Sequence, residues 1–193
     1  MSVSVYPVGE ISALITDLTR GRGPTRRRAR ESLVFIGKPA VASLTAVLTN
    51  PNEHVRWEAI KALEGIGGSE AARVLVEAVE NDQDSSIRWL AAEALIGLGR
   101  AGLVPLLQAL VRHSGSVWLR EGAHYVMRRL NIKYPDLGSQ LTPVLAALES
   151  RESVAQVSPA AQAILDALTE TVEGVAAGEG LQDDEQAAQV GAK

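Results

Sequence analysis

The 193-residue chain has no cysteine, which excludes thiolate zinc sites, disulfides and cysteine nucleophiles. Aromatics make up 4% of it while alanine and leucine recur at helical spacing, so the composition predicts helices and no sheet. Net charge is −4 and unevenly placed: residues 1–170 hold 18 basic and 18 acidic side chains, and residues 171–193 hold five acids against Lys193. No apolar run approaches the roughly 18 residues that span a bilayer. The opening MSVSVYPVGE lacks the basic region and apolar core of a signal peptide. The expectation is a soluble, cytoplasmic chain with no membrane partner.

In chain order, Val8–Thr19 puts Val8, Ile11, Leu14, Ile15 and Leu18 on one helical stripe. It matches Val41, Leu44 and Leu48 at an offset of 30, so it reads as the second helix of a hairpin whose first helix is missing. A Gly21–Pro24 turn follows, with Thr25 as the expected N-cap of a helix ending near Phe35 or Ile36. Gly37, Gly67 and Gly99 each follow the last periodic apolar residue, where a left-handed C-cap is expected. Asn52, Asp84 and Ser116, spaced by 32, are expected N-caps. Second helices are expected over Pro39–Leu48, Glu70–Val79, Gly102–Val111 and Leu141–Leu148. The stretch 131–140 lengthens one turn and breaks the register. A last copy, Val157, Ala161, Leu165 and Leu168, is expected to close the stack. Residues 171–193, with four glycines and an acidic run, read as a disordered tail.

The first helices repeat. Val55, Arg56, Trp57, Ala59, Ala62, Leu63 and Gly67 return 32 residues later as Ile87, Arg88, Trp89, Ala91, Ala94, Leu95 and Gly99. Weaker copies carry Arg26, Ala29 and Leu33 before them and Arg120, Ala123 and Met127 after. A fixed period in this range marks a stacked-repeat solenoid. The reading is therefore all-α, an α-α superhelix of about five short helical hairpins over 1–170. Alanine on the core stripe lets paired helices approach closely. Arg26, Arg56, Arg88 and Arg120 form a ladder in the first turns of successive helices, against the dipole. Asp or Asn side chains and free carbonyls in the neighbouring repeat's turn are the expected partners, which makes the ladder structural.

These residues resemble the HEAT repeat superfamily, specifically the short HEAT-like repeat of the phycobilisome (PBS) lyases. Asp84, Ile87-Arg88, Ala91, Ala94-Leu95, Gly99 and Val104-Pro105 carry the match, seconded by Asn52, Val55-Arg56, Ala59, Ala62-Leu63 and Gly67. The resemblance implies an α-solenoid over about 8–170. Its relatives include bilin-attaching lyases, chaperone-like cousins, a di-iron hydroxylase and scaffolds.

Di-iron relatives carry His-Glu pairs early in their first helices. Here those places hold Arg27-Arg28, Trp57-Glu58, Trp89-Leu90 and Glu121-Gly122, which argues against that chemistry. His54 lies in a turn, Glu121 and His124 offer half a site, and His113 ends a helix, so no metal or cofactor is expected. Gly97–Gly102 spells GxGxxG, but a helix and not a strand precedes it, so it reads as a helix corner. Six arginines, at 20, 22, 26, 27, 28 and 30, suggest either a patch for phosphate or an acidic partner or, the reading the sequence favours, a solvated helix face plus the ladder arginine. With no aromatic interleaved and a neutral body, the sequence argues against nucleic acid. The acidic tail folding back on this patch is a further expectation.

Trp57 and Trp89 fall at the same place in consecutive repeats, off the core stripe. They suggest either an aromatic patch for a partner or cover for the seam between repeats. On the second helices, Arg73, Glu77 and Gln108 are expected to line the concave face. No nucleophile or base set stands out. The sequence thus favours a non-catalytic scaffold, adaptor or assembly factor that binds another protein. The alternative is a phycobilin lyase-like enzyme or chaperone acting on a tetrapyrrole-carrying protein.

Overall fold

The computed structural model describes residues 8–150 and 154–169, and within them there is no strand. The helices are α1 (Val8–Arg20), α2 (Gly23–Ile36), α3 (Val41–Val47), α4 (Glu53–Ile66), α5 (Gly68–Asn81), α6 (Ser85–Leu98), α7 (Arg100–Arg112), α8 (Val117–Lys133) and α9 (Gly138–Glu149). Residues 154–169 form a further helix, α10. Short 3-10 turns at Lys38–Ala40 and Pro135–Leu137 lead into α3 and α9. The expected tail, 171–193, lies outside the described residues.

Two layers result. The first helices pack in sequence, α2 on α4, α4 on α6 and α6 on α8, and the second helices run α1, α3, α5, α7 alongside. The core is the strip between them, an α-solenoid as the periodicity predicts. Ala59, Ala62, Leu63, Ala91, Ala94 and Leu95 are buried within it. Small side chains on these stripes let the layers close to a short axis separation. Glycine is required at helix contacts too: at Gly122 in α8 a Cβ would overlap Val79 Cγ1 of α5, and at Gly65 in α4 it would overlap Val34 of α2.

The N-caps fall where the repeat places them. Asn52 accepts from the His54 N–H, Asp84 from the Ser86 N–H and Ser116 from the Leu119 N–H. Helix α2 is different: it begins at Gly23, with Arg22 at the N-cap and Pro24 in its first turn, so Thr25 lies inside it. Proline's fixed φ starts this helix one turn earlier than a hydroxyl cap would. The corner glycines also depart from expectation. Gly37, Gly67 and Gly99 have φ of 75°, 71° and 62°, but ψ of −138°, −165° and −129°. That is the mirror-extended region open to glycine, not the left-handed helical cap. It reverses the chain within one residue, and each glycine ends one helix and opens the next turn of structure.

The register slip at 131–140 has a definite consequence. Asn131–Lys133 prolong α8 by most of a turn instead of lengthening the loop. Helix α9 then packs on α8. Helix α10 runs along α7, with Ser158 Oγ donating to the Val111 carbonyl at 3.1 Å. Val157, Ala161 and Ile164 are its buried residues, while Leu165 and Leu168 are only partly covered.

Candidate functional site: an arginine ladder and two tryptophan hollows

The ladder arginines occupy equivalent places and meet different ends. Arg56 is the buried charged residue of the described core. Its Nε and Nη2 bind Asp82 at 2.8 and 3.0 Å, and its Nη1 donates to the Asn50 and Pro51 carbonyls at 2.9 and 3.3 Å. Arg88 Nη1 donates to the Asp82 carbonyl at 2.7 Å, and Arg26 Nη2 to the Gly21 carbonyl at 3.0 Å. The carbonyls therefore come from the turn before each arginine's own helix, and among the described residues only Arg56 gains a carboxylate from the next turn. The cause is visible in the repeat: the residue six before each following arginine is Asn50, Asp82 or Ser114, and one of these three is an acid. Arg120 Nε is buried with no hydrogen-bond partner among the described residues.

Arg88 spends its remaining surface differently. Its guanidinium carbon lies 3.7 Å from the centroid of the Trp118 ring, a close cation–π stack. Trp118 and Trp89 are 51% and 58% exposed, and together they line a hollow of about 290 Å³ between α6 and α8. Ala92, Gly122, Tyr125, Ser85 and the exposed Glu121 are among its walls. The Tyr125 hydroxyl donates to the Glu93 carboxylate, and that bond, with some desolvation, holds the phenol proton above its ordinary pKa.

Trp57, 40% exposed, opens on another hollow, of about 610 Å³, beside Arg27, Arg28 and Arg30. Arg30 lies 5.7 Å from its ring centroid and bonds Glu58 at 2.6 Å. Space thus supplies the aromatic neighbour that the linear arginine run lacks. Trp57 and Trp89 do not share one of these hollows; the partner brought to Trp89 is Trp118. Repeat alignment overlooks Trp118 because it falls three residues before the equivalent place, Glu121. Three residues is one helical turn, so a helical wheel of α8 puts both on one face.

The second-helix candidates are dispersed. Arg73 and Glu77 are exposed one turn apart on α5, with Arg73 beside Lys38 and Glu70 at the Gly67 corner. Gln108 lines a hollow of about 710 Å³ between α7 and α10, with Leu103, Val104, Leu165 and Leu168. Two of the three histidines point to separate carboxylates: His113 Nδ1 meets Glu80 at 2.9 Å and His124 Nε2 meets Glu149 at 3.2 Å. No group of three or more metal-ligating side chains forms among the described residues. Gly97, Gly99 and Gly102 belong to the α6–α7 corner, with no strand feeding them.

Residues 11–96 match the model of HEAT repeats. No curated protein matches the sequence. Among solved structures, a chain of the CpcE–CpcF complex of phycocyanin lyase from Nostoc sp. PCC7120 is 25% identical. The match covers 80% of this chain and 99% of that one, with a TM-score of 0.49. An engineered protein is 23% identical over 79% of this chain and 76% of its own, with a TM-score of 0.36.

Proposed function

We propose that this chain, which carries HEAT repeats over residues 11–96, is a non-catalytic scaffold that holds another protein at the Trp89–Trp118 hollow. The stack of Arg88 on Trp118 beside half-exposed Trp89 is the observation that carries the reading. Interface hot spots are enriched in tryptophan, tyrosine and arginine, and here all three border one recess. Two of its polar groups are already engaged, Tyr125 with Glu93 and Arg88 with the Asp82 carbonyl, while Ser85 and Glu121 also line it. What the recess offers is apolar area, a fixed cation and the exposed Glu121 carboxylate, which is recognition chemistry. Trp57, Arg73, Glu77 and Gln108 are secondary contacts in this proposal. A cytoplasmic setting belongs to it too, and cell fractionation tests that.

Affinity capture from native extract tests the reading, with the wild type set against Trp89→Ala/Trp118→Ala. Retained proteins are identified by mass spectrometry and pigment by visible absorbance. A specific protein held by the wild type and lost by the double variant, with circular dichroism unchanged, is the expected result. The same set held by both chains would overturn the site. Loss on Arg73→Ala/Glu77→Ala/Gln108→Ala instead would move it to the second-helix layer. A retained tetrapyrrole would favour the lyase-like reading, an enzyme or chaperone acting on a pigment-carrying protein.

A further inference from the structure

Helix α2 starts with an electrostatic conflict. It has no side-chain cap and no acid in its first turn, and Arg26, Arg27 and Arg28 follow at its positive end. Cations there oppose the helix dipole, whereas α4 and α6 start under Asn52 and Asp84. Arg26 and Arg30 are engaged, with the Gly21 carbonyl and with Glu58. Arg20, Arg22, Arg27 and Arg28 are exposed, and none has an ion-pair partner among the described residues. Arg27 and Arg28 border the Trp57 hollow, which at about 610 Å³ admits a stretch of peptide.

The missing anions stand elsewhere in the same chain. Residues 170–193 contain Glu170, Glu173, Glu179, Asp183, Asp184 and Glu185, with Lys193 as their one base. We infer that this acidic segment docks on the arginine face of α2, with Asp183, Asp184 and Glu185 against Arg27 and Arg28 beside Trp57. This goes beyond the proposed scaffold role and does not rest on it.

Reach permits the contact. Three steps between neighbouring helix axes amount to roughly 30 Å. Thr169 lines the hollow with Arg100, at the end of the layers away from Gly23, which adds roughly 20 Å along a helix. The diagonal is then on the order of 35–40 Å. The acidic run begins 14 residues beyond Thr169, and an extended chain of that length covers about 50 Å. Tethering holds these acids at an effective concentration on the order of millimolar beside the arginines. Glu31 and Glu58 also border the hollow; they repel a continuous phosphate backbone more than a peptide that alternates acids with neutral residues.

The cysteine-free chain suits a spin-label test. A nitroxide on Ala187→Cys should broaden the amide signals of residues 22–31 and the Trp57 indole N–H. About 0.5 M salt should abolish the effect, since screening then acts within a few ångströms. Arg27→Glu/Arg28→Glu should abolish it too, as should Asp183→Asn/Asp184→Asn/Glu185→Gln, which leaves the helices untouched. Broadening absent from α2 at low salt, or surviving both charge variants, would overturn the inference. So would broadening seen only between a labelled and an unlabelled copy. Binding of a short DNA duplex to this face, unchanged by neutralising the acids, would assign the arginines to nucleic acid instead.

Discussion

Arg56 and Asp82 meet as a buried bidentate pair, with side chains 4% and 5% exposed and the Nε–Oδ2 distance 2.8 Å. Asp82 Oδ1 also accepts the Asp84 N–H at 2.9 Å, so one carboxylate ties the turn before α4 to the turn before α6. Removing one partner strands a charge without water. Asp82→Ala is expected to cost about 3–5 kcal/mol by urea unfolding, and Asp82→Leu/Arg56→Met to recover most of it. A single-variant loss below about 1 kcal/mol would mean that water reaches the guanidinium.

Gly122 sets how closely α8 approaches α5. Alanine there gains helix propensity, about 1 kcal/mol, but its methyl would overlap the Val79 side chain, and a β-branched residue has no free rotamer to yield. Overpacking of this kind costs about 1–3 kcal/mol, so Gly122→Ala is expected to be net destabilising. Pairing it with Val79→Ala should give a favourable coupling in a double-mutant cycle. Additive losses would locate the strain elsewhere.

Gly67 is held by conformation alone. A Cβ there meets no atom within 4 Å, yet φ is 71° and ψ −165°. Gly67→Ala is expected to lose about 1–3 kcal/mol by thermal unfolding. Gly9, equally open but with ordinary φ and no proline after it, is the control, and Gly9→Ala should be neutral or slightly stabilising. Equal effects at the two sites would refute the backbone argument.

Asp84 carries the pH dependence of the caps. The Ser86 hydroxyl and then the Ser86 N–H, both donating to its carboxylate, bring its pKa from 3.8 to about 2. A depressed folded value means that the stabilisation is complete above about 3.8 and is lost as pH falls towards 2. The Tm difference between the wild type and Asp84→Asn should therefore shrink as pH falls through that window. Asn52→Ala, which removes an uncharged cap, should cost about 1 kcal/mol with no dependence on pH there. A constant Asp84 difference would mean that the cap works without its charge.

Helix number, the two-layer stack and the capping residues were legible in the chain because each depends on spacing over a few residues. A 3.6-residue stripe makes Ala59, Ala62 and Leu63 a core face whatever surrounds them. Caps at Asn52, Asp84 and Ser116 are equally local, as is the need for glycine at the corners. The start of α2 was misjudged at Thr25 because two local signals compete there and the proline prevailed.

The candidate site was only half legible. Trp57 and Trp89 stand out by repeat position, but tertiary packing couples Trp89 with Trp118 and sets Trp57 among the arginines. The period likewise makes Arg56, Arg88 and Arg120 equivalent, and the folded chain separates them: Arg56 binds a carboxylate, Arg88 stacks on an indole, and Arg120 Nε has no partner among the described residues. The sequence by itself determined the helices, their order and the side-chain caps at Asn52, Asp84 and Ser116, because those follow from interactions within a turn or two. Which side chains face one another across the stack, and that α10 lies along α7, only the tertiary structure decided. Such contacts join residues about 30 or more positions apart, and a side chain's position in its own repeat does not say what the next helix brings against it.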